Sequence, residues 1–339
     1  MGESIADRLD ADDGPATVSA FPDGSVDHFY DVYDGDERVR RRERFVETVS
    51  SRSSPAFTVD RTAVEPGGHA VNMALQADAL GDDVTLVGNL DHPVLADLSF
   101  ETVSMGEPAR VSVYEFDEGD VLMAEPAAAV DDWALADLRT AAGEAFPAFR
   151  SADVVFCTNW TSFDALPSAL TDLAAEAADG NYFLFDPGSL SARRDAEMRR
   201  LVDALADLGG SYDVVLAANG GEMDALAAGA LGGPAPADRA TAAVGVRDAA
   251  DLAGAVVHED DAAVAATSSG TVRVGNFDID PVRHTGGGDR FDAGLAHALA
   301  RGWDWADALR LANACAARYI ATGESATPDE LAAFLRERE

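Results

Sequence analysis

From about residue 150 onward, short apolar runs alternate with longer Ala/Leu segments of helical period, and this alternation restricts the fold more than any other feature of the chain. Asp153-Val-Val-Phe-Cys157, Tyr182-Phe-Leu-Phe185, Asp213-Val-Val-Leu216 and Ala255-Val-Val-His258 are near-continuously apolar, as strands covered on both faces must be. With helical segments between them they predict βαβ units and a doubly wound parallel sheet. Val264 to Thr267 and Thr271 to Val274, around Ser268-Ser-Gly270, predict an antiparallel hairpin on that sheet. Helices are expected over 290–301 and 304–321. A last helix opens at Thr327-Pro-Asp-Glu330, a capping box with proline at the first helical position. The front of the chain is less regular: a strand at Thr17 to Ala20, a turn and helix at Gly67 to Leu80, a strand at Val84 to Val87, and an exposed hairpin from Arg110 to Tyr114 and Asp120 to Ala124.

Charge narrows the partners. The 339 residues hold 61 Asp and Glu against 25 basic residues, all Arg, for a net charge of −36. So acidic, lysine-free a composition resembles that of extreme halophiles, where molar salt shortens the Debye length to ~3 Å and screens self-repulsion. It lacks the basic footprint of a nucleic-acid or anionic-membrane binder, and without lysine no Lys-dependent P-loop exists. Cys157 and Cys315 sit in apolar stretches and read as buried free thiols; no His pair has zinc spacing. Residues 1–16 read as an acidic tail without a signal pattern, and no apolar run reaches ~18 residues, so a cytoplasmic protein is expected. Six of the 25 arginines (Arg38, Arg40, Arg41, Arg42, Arg44 and Arg52) crowd into 36–54, where pairing with the protein's own carboxylates competes with a phosphate or partner contact.

Three turns carry the candidate chemistry. His284-Thr285-Gly286-Gly287-Gly288-Asp289 ends in a carboxylate where a helical pattern begins. Glycines let backbone approach a phosphate, first-turn N–H groups and the helix dipole favour an anion, and Asp289 could take a proton from an attacking hydroxyl. Alternatively Asp289 is a simple helix cap. Gly67-Gly68-His69-Ala70-Val71-Asn72 stands at a strand-to-helix hand-over, with Asn72 one turn beyond the glycines. Asp27, in Asp23-Gly-Ser-Val-Asp27, follows the first strand, where α/β folds place ligand-binding residues. Asn219-Gly-Gly-Glu222 is itself a capping box, or a site where Glu222 organises Mg²⁺ through water.

Together these segments resemble the ribokinase-like (PfkB) carbohydrate kinases. The similarity runs through Gly67-Gly68…Asn72, Ala79-Leu-Gly-Asp-Asp-Val-Thr-Leu-Val-Gly88, Asn219-x-x-Glu222, Thr285-Gly-Gly-Gly-Asp289-x-Phe-x-Ala-Gly294 and Leu309 to Ala317, over roughly residues 17–323. The resemblance implies a three-layer α/β/α, Rossmann-like domain at 17–339 with a small β lid formed by parts of 28–65 and 107–125. It implies an ATP- and Mg²⁺-dependent phosphotransferase acting on a hydroxyl of a sugar, sugar acid or sugar phosphate. Asp289 would be the base and Gly286, Gly287 and Gly288 the anion hole. Asp27, Gly67, Gly68 and Asn72 would bind the acceptor; Asn219, Glu222, Thr285 and Asn313 would bind nucleotide, with Glu222 reaching Mg²⁺ through water.

Several positions depart from the family pattern. Arg283 stands where an Asp often serves a monovalent-cation site, which puts that site in doubt. Pro22 replaces a usual glycine, His258-Glu-Asp-Asp261 replaces a Gly-containing strand, and the usual Gly-Asp-x-x-Gly stretch after Asp91 is missing. The Arg-rich segment falls where lid strands are expected and could favour an anionic acceptor. A nucleoside kinase, and a ligand-binding protein that has lost turnover, remain alternatives. A lid with open edges could also pair two subunits.

Overall fold

A computed structural model describes residues 4–11, 14–128, 130–176 and 181–338. The strands are β1 (Thr17–Phe21), β2 (Ser25–Asp34), β3 (Glu37–Arg38), β4 (Thr58–Gly67), β5 (Asp83–Gly88), β6 (Glu101–Ser104), β7 (Ala109–Tyr114), β8 (Val121–Glu125), β9 (Val154–Thr158), β10 (Tyr182–Asp186), β11 (Asp213–Asn219), β12 (Gly254–His258), β13 (Ala262–Thr267) and β14 (Gly270–Gly275). Nine of them form one sheet in the order β14-β13-β12-β11-β10-β9-β1-β5-β6. It is parallel from β12 to β6, and the β13–β14 hairpin adds an antiparallel edge.

The pleat divides the core into two layers. On β9, Val155 and Cys157 face one apolar cluster with Leu170, Leu201, Leu205 and Leu226; Val154 and Phe156 face the other, with Met73, Phe291, Leu295 and Leu309. Every residue of β9 is buried, which is why its sequence is continuously apolar rather than alternating. Helices Leu166–Ala174, Asp195–Leu208, Gly220–Leu231 and Arg239–Ala250 cover the first face; helices His69–Ala79, Gly287–Ala300, Trp305–Thr322 and Pro328–Arg336 cover the second. The chain runs outward from β1 to β5 and β6 on one side and from β9 to β12 on the other. The strand order therefore reverses between β1 and β9, which opens a crevice beyond their carboxyl ends.

The second sheet has the order β3-β2-β7-β8, with β4 also paired to β2, and it stands over that crevice. Two expectations change here. Within 36–54 the only lid strand is the two-residue β3, and most of the segment is the helix Arg42–Ser51, held by Phe45 against Phe57 and Phe116 at ring-centroid separations of 4.9 and 5.6 Å. The segment read as an acidic tail contains the helix Ile5–Leu9, capped by Ser4; Ile5, Ala6 and Leu9 are buried in the same apolar cluster as Leu331 and Leu335. A single apolar stripe five residues long is too short to stand out in so acidic a sequence. Among the described residues no helix is long and apolar enough to cross a membrane.

Candidate active site

Asp23 ties the crevice together. It lies two residues beyond β1 and is 5% exposed; its carboxylate accepts from the backbone N–H groups of His69 (3.0 Å) and Ala70 (2.7 Å). These are first-turn donors with no acceptor inside their own helix, so Asp23 caps the helix His69–Ala79 from a distant strand. Asn159, one residue beyond β9, donates its Nδ2 to the same carboxylate at 2.8 Å. The bond spans the point where the strand order reverses. Burial raises the Asp23 pKa despite these donors.

That capped helix and the helix Gly287–Ala300 converge on Asp289, which is 5% exposed. His69 Nδ1 lies 2.7 Å from one carboxylate oxygen, and Asn72 Nδ2 donates to the other at 2.7 Å. Burial opposes charge on the His69 ring, but Asp289, then Asp186 and Asp23, outweigh it and raise its pKa well above the ordinary value. The ring's edge is partly open to the cleft, which screens part of that effect. The N-cap of the second helix is Gly286 at φ +83°, a left-handed conformation that glycine adopts without strain and that turns the 286–288 backbone into the cleft. The simple-cap alternative does not hold for Asp289, because it lies inside the first helical turn.

Asp27 lies on β2 beside this group. Ser25 Oγ donates to it at 2.5 Å, and Gly67 packs so closely that a Cβ there would overlap the carboxylate. Burial lifts the Asp27 pKa to about 6, and the Ser25 hydroxyl opposes the rise. Asp27, Gly68, Asn72, Thr285, Gly286 and Asp289 line a cavity of about 370 Å³, together with Asn89, Asn159 and Leu122, a residue of β8. A second cavity, of about 760 Å³, meets the opposite side of the turn and is lined by Asn219, Gly286, Gly287, Gly288 and Asn313. Gly286 therefore belongs to both. Asn313 is nearly buried and donates weakly toward the Val274 and Gly275 carbonyls at 3.4 and 3.3 Å.

Asn219 and Glu222 form the capping box seen in the sequence: Asn219 Oδ1 accepts from the Glu222 N–H at 3.0 Å, and Glu222 Oε2 from the Asn219 N–H at 2.9 Å. Burial first, and Asp186 second, lift the Glu222 pKa to about 7, so this cap also faces a crowded acidic group. That group holds Asp186, at the end of β10, and Asp292, one helical turn beyond Asp289. Burial, then Asp186, raises the Asp292 pKa well above the carboxylate range.

Sequence reasoning passed over Asp23, His69, Asn159, Asp186 and Asp292. Asp23 and His69 lie inside motifs that were noticed, while Asp186 follows a predicted strand directly, a position that could have marked it.

The Arg-rich segment contributes nothing to either cavity. Arg38 pairs with Asp31, Arg41 with Glu43 and Glu118, and both Arg44 and Arg52 with Asp34. Arg283 joins core to lid instead: its guanidinium meets Glu65 at 2.7 Å and Glu115 at 3.9 Å and lies 4.0 Å over the Phe29 ring. Thr285 Oγ1 makes a further, longer contact with Asp120, at 3.5 Å.

A cradle of helix N-terminal amides beside a held carboxylate, between two cavities, is a layout for group transfer from one ligand to another. The family model for prokaryotic ketohexokinases matches residues 31–338. The chain belongs to that family. It is a carbohydrate kinase, and it is 29% identical to a ketohexokinase of Haloferax volcanii over 98% of this chain and 93% of the relative. A ribokinase from Thermotoga maritima superposes at TM-score 0.68 with 16% identity, over 95% of this chain and 99% of that one. A fructokinase from Xylella fastidiosa with bound ATP superposes at 0.67 with 16% identity, over 95% and 98%. These likenesses carry the three-layer fold, and family membership carries the sugar-kinase class.

Proposed function

We propose that this sugar kinase transfers the γ-phosphoryl group of ATP to a hydroxyl of a neutral ketohexose held in the smaller cavity. The observation that supports the reading best is the Asp289 carboxylate, fixed by His69 and Asn72 at the one turn that faces both cavities. The acceptor lies between the strand ends and the lid, with Asp27, Asn72, Asn89 and Asn159 offering partners for its hydroxyls. No arginine lines that cavity, so the Arg-rich segment does not argue for a charged acceptor.

The acceptor hydroxyl gives its proton to Asp289 as its oxygen forms the bond to phosphorus; ADP leaves with the electrons of the broken P–O bond. His69 and Asn72 hold the carboxylate in place, so little rearrangement is needed at the moment of transfer. The N–H groups of Gly286, Gly287 and Gly288 face the charge that grows on the transferring group. Asn219 and Asn313 border the nucleotide. A divalent cation fits the site, because Glu222, Asp186 and Asp292 crowd carboxylates together without an arginine partner among the described residues. When bound, it neutralises phosphate charge, and Glu222 would hold it through water.

The test is an acceptor screen in molar KCl that follows ADP formation. Fructose-type ketohexoses should turn over, with aldoses and sugar acids far behind. Efficient turnover of a nucleoside or of a phosphorylated sugar, with ketohexoses inert, would sink the proposal.

A further inference from the structure

One buried charge beside the turn has no part in the phosphoryl transfer described above. Among the described residues Arg290 is the only buried arginine, at 4% exposure, and it follows Asp289 directly in the helix Gly287–Ala300. With 61 acidic residues for 25 arginines, carboxylate partners abound in this chain. Among the described residues Arg290 has none within ion-pair distance: Nε donates to Ser325 Oγ at 3.3 Å, Nη1 to the Gly286 carbonyl at 3.4 Å, and the guanidinium lies 4.0 Å over the Tyr319 ring. Burial holds the Tyr319 phenol above its usual range, so that ring brings no negative charge. Burial also lowers the pKa of Arg290 itself, but a guanidinium stays charged at any working pH. The carboxylates whose field reaches it are Asp289, Asp27 and Glu65, and each is bonded elsewhere: Asp289 to His69 and Asn72, Asp27 to Ser25, Glu65 to Arg283.

A buried charge without a partner is strongly unfavourable, so the place where a fold keeps one is informative. Here it is the floor of the glycine turn. A Cβ on Gly286 would lie 3.1 Å from Arg290 Nη1 and 3.3 Å from Tyr319, which shows how closely the turn rests on the guanidinium and the ring. The Gly286 carbonyl that accepts from Nη1 shares a peptide group with the Gly287 N–H. A planar trans peptide points its C=O and N–H in opposite directions. A cation at the oxygen end therefore favours an N–H aimed away from Arg290, toward the nucleotide cavity that Gly287 lines, and deepens the dipole of that N–H. At 3.4 Å the hydrogen bond is long, and the charge behind it makes the larger contribution.

We propose that Arg290 is a positioning residue for phosphoryl transfer. Its buried guanidinium fixes the Gly286–Gly287 peptide with the N–H toward the transferring group and leaves one positive charge uncompensated until that group arrives. This role rests on the proposed transfer of a phosphoryl group at the turn.

Arg290→Met and Arg290→Lys are compared with wild type in molar KCl by steady-state kinetics, thermal unfolding and calorimetric binding of ADP and of the β,γ-imido analogue of ATP. Methionine fills much of the same space without charge, so kcat should fall by about 10²-fold, the lower end for loss of one anion-hole donor, while acceptor KM changes by less than about two-fold. Affinity for the imido analogue should fall by about ten-fold, the lower end for a hydrogen bond to a charged group, with ADP less affected. Lysine returns the charge without the planar fork and should recover part of the lost kcat. Arg290→Met should melt no lower than wild type, because it removes an uncompensated buried cation. The proposal is overturned if Arg290→Met keeps kcat and analogue affinity near wild type, or if lysine restores the melting temperature but none of the kcat, which would make Arg290 a packing residue alone. A wild type inert toward every acceptor would sink the proposed transfer, and the analogue-against-ADP comparison would still decide whether Arg290 serves an anion at the turn.

Discussion

The two sides of the Gly286–Asp289 turn contrast in how their carboxylates are held. Toward the acceptor cavity each has a donor in place: Asp23 has two amides and Asn159, Asp27 has Ser25, and Asp289 has His69 and Asn72. Beneath the turn, among the described residues, Asp292 has none and Asp186 has the Gly188 amide. The first side is preorganised by the protein itself, so its geometry exists before any ligand enters. The second crowds carboxylates together without such donors. Charge satisfied internally positions a reactant, whereas charge left unsatisfied recruits one.

The sharpest attempt to break this contrast is Asp289→Asn. The amide keeps the shape but removes the base, so kcat should fall by about 10²–10⁴ while nucleotide affinity, followed by fluorescence or calorimetry, stays near wild type. Unchanged kcat would mean that the held carboxylate is only structural. Asp23→Ala should act on the fold more than on chemistry. It leaves two helix N–H groups and the Asn159 amide without their acceptor, and a loss of about 1–3 kcal/mol is expected in urea unfolding. No loss would show that water replaces the cap and that the acceptor wall is less preorganised than its hydrogen bonds indicate.

The Asp27 pKa of about 6, raised by burial, gives a pH test with a definite sign. The folded value lies above the ordinary 3.8, so this group's stabilising contribution is fully present below 3.8 and is lost as pH rises through about 6. Binding of the acceptor's hydroxyl donors needs the ionised form. Acceptor kcat/KM should therefore fall up to about ten-fold per unit as pH drops below about 6, and Asp27→Asn should flatten that limb. A limb that persists in the variant would assign it elsewhere. Arg283→Met tests the bridge between core and lid and carries the smallest expected effect. It removes the Glu65 pair and the cation–π contact with Phe29, so acceptor KM should rise several-fold while kcat changes by less than about two-fold. An equal fall in kcat would show that the lid also positions Asp289.

The α/β class, the strands at 154–158 and 182–186, the closing capping box at Thr327 and the three glycine-centred turns were legible in the sequence, because each depends on neighbours in the chain: apolar runs, helical period and cap chemistry. Where local signal was weak, the reading strayed. Lid strands were expected across 36–54, yet after the short strand at Glu37–Arg38 the segment forms a helix held by Phe45; of the two readings of its arginines, pairing with the protein's own carboxylates is the one seen for Arg38, Arg41, Arg44 and Arg52. Ile5 to Leu9 looked like tail because burial of so short a stripe is decided by the partner helix at 328–336.

By itself, then, the sequence determined the layers of the fold and the backbone turns able to cradle a phosphate. Only the tertiary structure decided which side chains meet there. His69 and Asp289 lie 220 positions apart, and Asp186 reaches Asp292 only because β10 ends beneath the helix that carries Asp289 and Asp292. Glycine turns and apolar periodicity are local properties of the backbone. Whether a carboxylate is held by donors or left bare depends on distant chain packed against it, and in this protein that difference separates Asp23, Asp27 and Asp289 from Asp292.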